Sequence, residues 1–203
     1  GRDGGCACGG GGRAGEAAAP SDGCRQLVVT GDPEDAKGRG DVSCLQRASA
    51  EHWKRWVHIA DVSHYVKHGT ALDHEARKRG NSTYLVDRVI PMLPEELSNG
   101  LCSLNPHVDR LCMVCDMHIS NSGEIEKYRF YPSVMHSQAR LTYTQVAEML
   151  AEPDGELAKS NAVIVPHLQH LYDLFQKLLQ ARAKRGAIDF ETVETQMIFT
   201  AQA

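Results

Sequence analysis

The stretch VTGDPEDAKGRGDVS, residues 29 to 43, contains side chains that could do chemistry, because Asp32, Glu34, Asp35 and Asp41 lie among glycines. Carboxylate oxygens are the ligands that Mg²⁺ prefers, and Mg²⁺ commonly shares its coordination shell with a substrate phosphate. An exposed turn uses the same Asp, Gly and Pro residues. By itself the stretch therefore indicates either an acidic metal site, intact or damaged, or a solvated turn.

Strand-like patterns surround this stretch and must position it. Short β-rich runs are predicted at residues 26 to 31 and 54 to 66, and in the second run Trp56, His58 and Ala60 fall on one face of the strand. The segments DRLCMVCDMHIS and IEKYRFYPSVMHS, joined by the turn NSGE, give the strongest hairpin signal in the chain. With the helices described next, these strands predict an α+β domain.

Helix signals follow at four places. Thr70 is a candidate N-cap for a helix that ends at Gly80, and a short helix is predicted to begin at Pro94. Another is predicted from 142 to 152. The last is entered between residues 160 and 166, ends at Gly186 and has an apolar face of Leu168, Leu171, Leu174, Phe175, Leu178 and Leu179. We expect this face to pack on the sheet through Leu171, Phe175 and Leu178.

Composition bounds the remaining possibilities. The chain has 203 residues, a net charge of −4 and 42% hydrophobic residues, enough for one sizeable core. Residues 1–24 are rich in Gly and Ala and are predicted to be a disordered tail, which leaves 25–203 as the domain. No apolar run reaches the roughly 18 residues of a membrane span, and no signal peptide is visible. We therefore expect no membrane partner, a cytoplasmic location and reduced thiols.

A family resemblance runs through four ordered segments between His58 and Tyr143. These are IADVSHYV, LDHEARKRGNSTY, VIPMLPEELSNGLCSLNPHVDRLCMVCDM and HSQARLTYTQV. Together they resemble the catalytic RNB domain of the ribonuclease II and ribonuclease R exoribonucleases, most closely ribonuclease R. The resemblance covers roughly residues 26 to 203 and implies an RNB-type mixed sheet flanked by helices. We expect a partial domain, incomplete at its C-terminus, because a later family segment with a catalysis-assisting arginine and the flanking RNA-binding domains have no counterpart in the sequence.

The resemblance gives the acidic stretch a meaning. Asp32 matches the first aspartate of a family cluster of four and Asp41 the last, whereas Gly38 and Gly40 occupy the other two aspartate positions. In the family such carboxylates hold Mg²⁺ for the hydrolysis of a phosphodiester. The resemblance therefore implies Asp32 and Asp41 as metal-binding and catalytic residues. It also implies that the Mg²⁺ site is weak or absent in this chain, because glycine offers no ligand.

Two aromatic residues complete the implied site. Tyr84 matches a family tyrosine that stacks on the 3′ end of RNA, and Phe190 matches a phenylalanine on the other side of the same base. Without the resemblance, core packing is the ordinary role for such a tyrosine. The implied partner is single-stranded RNA, with no small-molecule cofactor.

The expected function is that of a Mg²⁺-dependent 3′-to-5′ exoribonuclease, a hydrolase that releases nucleoside 5′-monophosphates. We expect its chemistry to be impaired, because glycines replace two acids at positions 38 and 40. The alternatives are a non-catalytic RNA-binding module and a degenerate fragment.

The pair Cys112 and Cys115 has redox spacing, but its place in an apolar strand favours buried thiols.

Overall fold

A mixed sheet of seven strands organises the molecule in this computed structural model. The structure describes residues 21–22, 29–32, 41–47, 49, 52–85 and 88–188. Its sheet has the strands β1 (Ser21–Asp22), β2 (Val29–Asp32), β3 (Asp41–Arg47), β4 (His52–Ala60), β7 (Asp109–Ser120), β8 (Ile125–His136) and β9 (Ala139–Thr142). A separate hairpin consists of β5 (Thr83–Tyr84) and β6 (Val89–Ile90).

Strand order in the large sheet is β1-β8-β7-β4-β3-β2-β9. Neighbours pair antiparallel except at the two margins, where β1 runs parallel to β8 and β2 runs parallel to β9. The helices are α1 (Val62–Tyr65), α2 (Ala71–Arg79), α3 (Tyr143–Ala151), α4 (Glu156–Ser160) and α5 (Val165–Lys184), with a π-helix at Glu96–Leu101. None of the helices in the described part is long and apolar enough to span a bilayer. The predicted α+β class, a mixed sheet flanked by helices, is confirmed.

Local capping chemistry sets the ends of the helices. The Thr70 side chain accepts a hydrogen bond from the backbone N–H of Asp73, and Gly80 ends α2 with a positive φ of 77°. Thr142 and Gln145 form a reciprocal capping box at the start of α3. The strand predicted over 54 to 66 instead ends at Ala60, because the Asp61 side chain caps α1.

Buried hydrophobic residues of the described part form three clusters. One joins β9 to α3, α4 and α5 through Leu141, Met149, Ala158, Ile164 and Leu168, and the other two cover the two faces of the sheet. On one face, Trp56 and Ala60 of β4 are buried as the alternation predicted, in the cluster Cys44, Trp56, Ala60, Cys102, Leu104, Cys112, Val114 and Met135. On the other face, α5 packs Leu174 against Leu45, Trp53 and Ile119.

Ser21 and Asp22 form β1 inside the predicted tail. The rest of residues 1–24 lies outside the described part, so the tail stays a prediction.

The two cysteines with redox-like spacing lie on opposite faces of the sheet. Cys112 and Cys115 are three residues apart in β7, so their side chains point to opposite faces of the strand. Cys112 is fully buried, and burial raises the pKa of the Cys115 thiol, with the Asp116 carboxylate adding to the effect. The two thiols are therefore separate, with Cys112 buried as expected and Cys115 only partly buried.

The packing face of α5 is narrower than the predicted one, because Phe175 and Leu179 are exposed. Leu171 and Leu178 pack against the core of the sheet as expected, but Phe175 is 50% exposed. Leu174 is buried, with 1% of its surface exposed. Leu174, which the sequence also placed on the apolar face, is thus buried as predicted, whereas the expectation that Phe175 packs on the sheet was wrong.

We predict that Leu174→Ala lowers the free energy of unfolding by about 2 to 5 kcal/mol, because it leaves a cavity between α5 and the sheet. Phe175→Ala should cost about 1 kcal/mol or less, since half of its ring already lies in water. Urea denaturation of both variants measures the difference, provided that the slope of the transition is unchanged. A larger loss for Phe175→Ala than for Leu174→Ala would contradict this packing.

Candidate functional site

Asp32 and Asp41 lie at the same end of the sheet. Asp32 is the last residue of β2 and Asp41 is the first residue of β3, and these adjacent strands pair antiparallel. In the ladders, Asp32 is the partner of Thr142 and Asp41 is the partner of Ile59. The fold thus brings the backbones of the two predicted ligands to one edge. Their side chains, together with Gly38 and Gly40, lie outside the described residues.

Two further aspartates, which the sequence did not single out, belong to the same end of the sheet. Asp61 follows β4, and its Oδ1 accepts hydrogen bonds from the Ser63 hydroxyl at 2.6 Å and from the His64 backbone N–H at 3.2 Å. Asp109 begins β7, and its Oδ1 lies 2.8 Å from Nδ1 of His136. One acid therefore caps a helix and the other forms a cross-strand pair. The helix-start pattern after Ala60 was the only available signal for Asp61.

The described side chains do not by themselves make a metal centre. Among them, no group of at least three His, Cys, Asp or Glu residues could hold an ion. The ligands that the family resemblance implies for Mg²⁺ are Asp32 and Asp41, whose backbones lie on neighbouring strand ends and whose carboxylates are hard oxygen donors. Two carboxylates can supply part of the coordination shell of Mg²⁺. The glycines at 38 and 40 contribute no side-chain ligand.

Tyr84 lies in the β5–β6 hairpin with 79% of its surface exposed. It pairs through its backbone with Val89, so its position is set by the hairpin and not by a core. Core packing, the ordinary alternative for this tyrosine, is therefore wrong. An exposed ring on a short hairpin can stack on a flat ligand such as a nucleobase.

A basic helix end precedes this hairpin. The last turn of α2 contains Arg77, Lys78 and Arg79, and the helix has no buried residue. Asp73 engages Arg77 at 3.0 Å, and the Gly69 backbone N–H, followed by the Arg77 guanidinium, lowers the pKa of the Asp73 carboxyl. This ion pair holds Arg77 toward the start of the helix.

Phe190, the predicted second half of the base clamp, lies outside the described residues. The described chain continues past α5 through Gly186, which has a positive φ of 76°, to Ile188. The pairing of Tyr84 with Phe190 therefore stays a prediction.

Known proteins resemble this chain in sequence and in fold. A family model described as the RNB domain matches residues 22–203. Ribonuclease R of Vibrio cholerae is 55% identical over 175 residues, which cover 86% of this chain and 21% of that protein. Ribonuclease R of Escherichia coli is 51% identical over 175 residues, with the same coverage of 86% and 21%.

A solved structure gives the same result. The structure of Mycoplasma genitalium RNase R in complex with ribose methylated single-stranded RNA has a TM-score of 0.79 at 33% identity. The match covers 89% of this chain and 28% of that one. This chain thus spans about a fifth of the length of these two ribonuclease R sequences, at 21%. Because the family model covers residues 22–203, the chain belongs to the RNB domain family.

Proposed function

We propose that this chain is part of a 3′-to-5′ hydrolytic exoribonuclease of the ribonuclease R type, which degrades single-stranded RNA to nucleoside 5′-monophosphates. The observation that carries the proposal is the RNB match over residues 22–203. Two placements in the structure support it, namely the shared sheet edge of Asp32 and Asp41 and the exposed Tyr84 ring. A cytoplasmic location stays a prediction.

Each part of the site has a physical role in this proposal. Tyr84 stacks on the terminal base, which holds the RNA without reading its sequence because every base has a flat π-face. Asp32 and Asp41 would hold Mg²⁺, which, when bound, lowers the pKa of the attacking water and stabilises the leaving oxygen. The backbones of the two aspartates lie at the end of the sheet where β2 and β3 meet, so both carboxylates belong to one region of the chain.

A second function, RNA binding without cleavage, is favoured by one observation. Gly38 and Gly40 stand where the family resemblance implies aspartates, so two of four implied ligands have no side chain. A chain that stacks RNA on Tyr84 but has lost the ligands needed for hydrolysis would bind RNA without cleaving it. An assay for cleavage of a labelled RNA distinguishes the two functions. A measurement of RNA affinity tests RNA binding, which both functions require.

We predict that Tyr84→Ala weakens binding to a 5′-fluorescent oligo(A) by about 5- to 150-fold, which corresponds to roughly 1 to 3 kcal/mol of stacking. Fluorescence anisotropy at constant salt measures the affinity, since phosphate contacts depend strongly on salt. Tyr172→Ala is the matched control, because Tyr172 is also exposed, at 46%, but lies on α5. Equal affinities for Tyr84→Ala and the unchanged chain would remove Tyr84 from the site.

A further inference from the structure

The hairpin that carries Tyr84 has little packing of its own. Each of its strands has two residues, and an isolated two-stranded hairpin is marginally stable in water. The side chains of Tyr84, Leu85 and Ile90 are exposed and Val89 is only partly buried, so burial fixes the direction of the hairpin weakly. The contacts at its base therefore contribute to its orientation.

Two side-chain hydrogen bonds close that base. The backbone N–H of Met92, just after β6, donates to the Ser82 hydroxyl at 3.0 Å, just before β5. The guanidinium of Arg79 donates through Nη1 to the carbonyl of Pro91 at 2.9 Å. The first bond joins the two strands to each other, and the second joins the hairpin to α2.

Arg79 is itself held on the helix. Its Nε donates to Oε1 of Glu75 at 2.9 Å, one helical turn earlier. The planar guanidinium therefore has one nitrogen fixed to α2 and another fixed to the chain leaving the hairpin. A lysine keeps the charge but has a single nitrogen on a flexible stem, so it cannot hold both acceptors in this rigid geometry.

We propose that Arg79 is a positioning residue that sets the orientation of the Tyr84 ring by bridging Glu75 and Pro91. This inference rests on the proposed role of Tyr84 in RNA stacking. It assigns to Arg79 a structural bridge in place of the direct phosphate contact that a basic helix end suggests. The two roles differ in their dependence on Tyr84. Loss of a direct phosphate contact would weaken binding whether or not Tyr84 is present and would leave the stacking of the terminal base intact, whereas loss of the bridge acts only through Tyr84.

The test uses the full chain and a single-stranded RNA with 2-aminopurine as its 3′-terminal base, whose fluorescence is quenched by stacking. Affinity, quenching and the salt dependence of binding are measured for Arg79→Lys, Tyr84→Ala and the double variant. Arg77→Lys is the matched control, since Arg77 is in the same turn but pairs with Asp73. Glu75→Ala, at a side chain that is 49% exposed, removes the other end of the bridge with little risk to folding.

We expect Arg79→Lys to lose affinity about fivefold or more and to lose quenching, with the salt slope unchanged because the charge remains. Glu75→Ala should lose quenching in the same direction, and Arg77→Lys should behave like the unchanged chain. The double variant should bind as Tyr84→Ala alone, since Arg79 acts through Tyr84.

Normal quenching and affinity for Arg79→Lys, beside a loss for Tyr84→Ala, would overturn the bridge and leave the proposed stacking intact. Additive losses in the double variant would also overturn it, because they indicate an independent contact. No loss for Tyr84→Ala would overturn the stacking role and the bridge together.

Discussion

Incubated with Mg²⁺ and a 5′-labelled single-stranded RNA, this chain is expected to leave the RNA at its original length. Glycines stand at positions 38 and 40, where the family resemblance implies carboxylates. Each missing ligand weakens the hold on Mg²⁺ and removes electrostatic stabilisation from the transition state, where a single group is often worth about 10²- to 10³-fold in rate. Two losses together should put cleavage below detection.

Asp32→Asn and Asp41→Asn serve as controls against a contaminating nuclease. A ladder that shortens from the 3′ end, and that either substitution abolishes, would show that two aspartates suffice and would contradict the prediction. The reverse experiment introduces Gly38→Asp and Gly40→Asp together in a longer protein that continues through the downstream family segment. The ladder should then appear, at least about 10²-fold faster than without the two acids.

Gly123→Ala is expected to lower the free energy of unfolding by about 2 to 5 kcal/mol, which combines backbone strain with overpacking. Gly123 lies in the turn between β7 and β8 with φ at 83°, a conformation that L side chains rarely adopt. A Cβ there would lie 2.7 Å from the Lys177 carbonyl oxygen and 2.9 Å from Cβ of Ala181. The turn thus touches the backbone of α5, which cannot yield without disturbing the Leu174 core.

Gly69→Ala is the matched control for strain alone. Gly69 has φ at 78°, but an added Cβ would meet nothing within 4 Å. Its cost should be about 1 to 2 kcal/mol. Thermal and urea denaturation of both variants separate the two contributions. Equal losses at the two positions would mean that the turn does not press on α5.

Local chemistry made much of the fold predictable from the sequence. Thr70, Gly80 and Thr142 cap helices as expected, and the hairpin around Gly123 forms at the predicted turn, since each depends on residues close along the chain. The exposure of Phe175 beside the buried Leu174 was not predictable, because both fall within the apolar arc of α5. The tilt of the helix on the sheet decides which of the two is buried.

The candidate site was predictable only through the family resemblance. Residue spacing alone did not decide whether the acidic stretch is a metal site or a solvated turn. It also did not decide whether Tyr84 is a core residue or part of a base clamp. The structure places Tyr84 outside the core and puts Asp32 and Asp41 at one edge. The bridging role inferred for Arg79 depends on a contact with Pro91, twelve residues away, which no local pattern reveals.

The pairing of β2 has a consequence for the order of folding. Val29 has one described partner in β3, at Ser43, whereas four residues of β2 pair with β9, from Ala139 to Thr142. Pairing β2 with β9 closes a loop of more than 100 residues. This step is slow compared with the pairing of strands that are close along the chain, such as β7 and β8. We infer that the strand ending in Asp32 is secured after the central hairpins, which pulse-labelled amide exchange would show as late protection of residues 29–32. The end of the sheet proposed to hold Mg²⁺ would then be assembled after the central sheet.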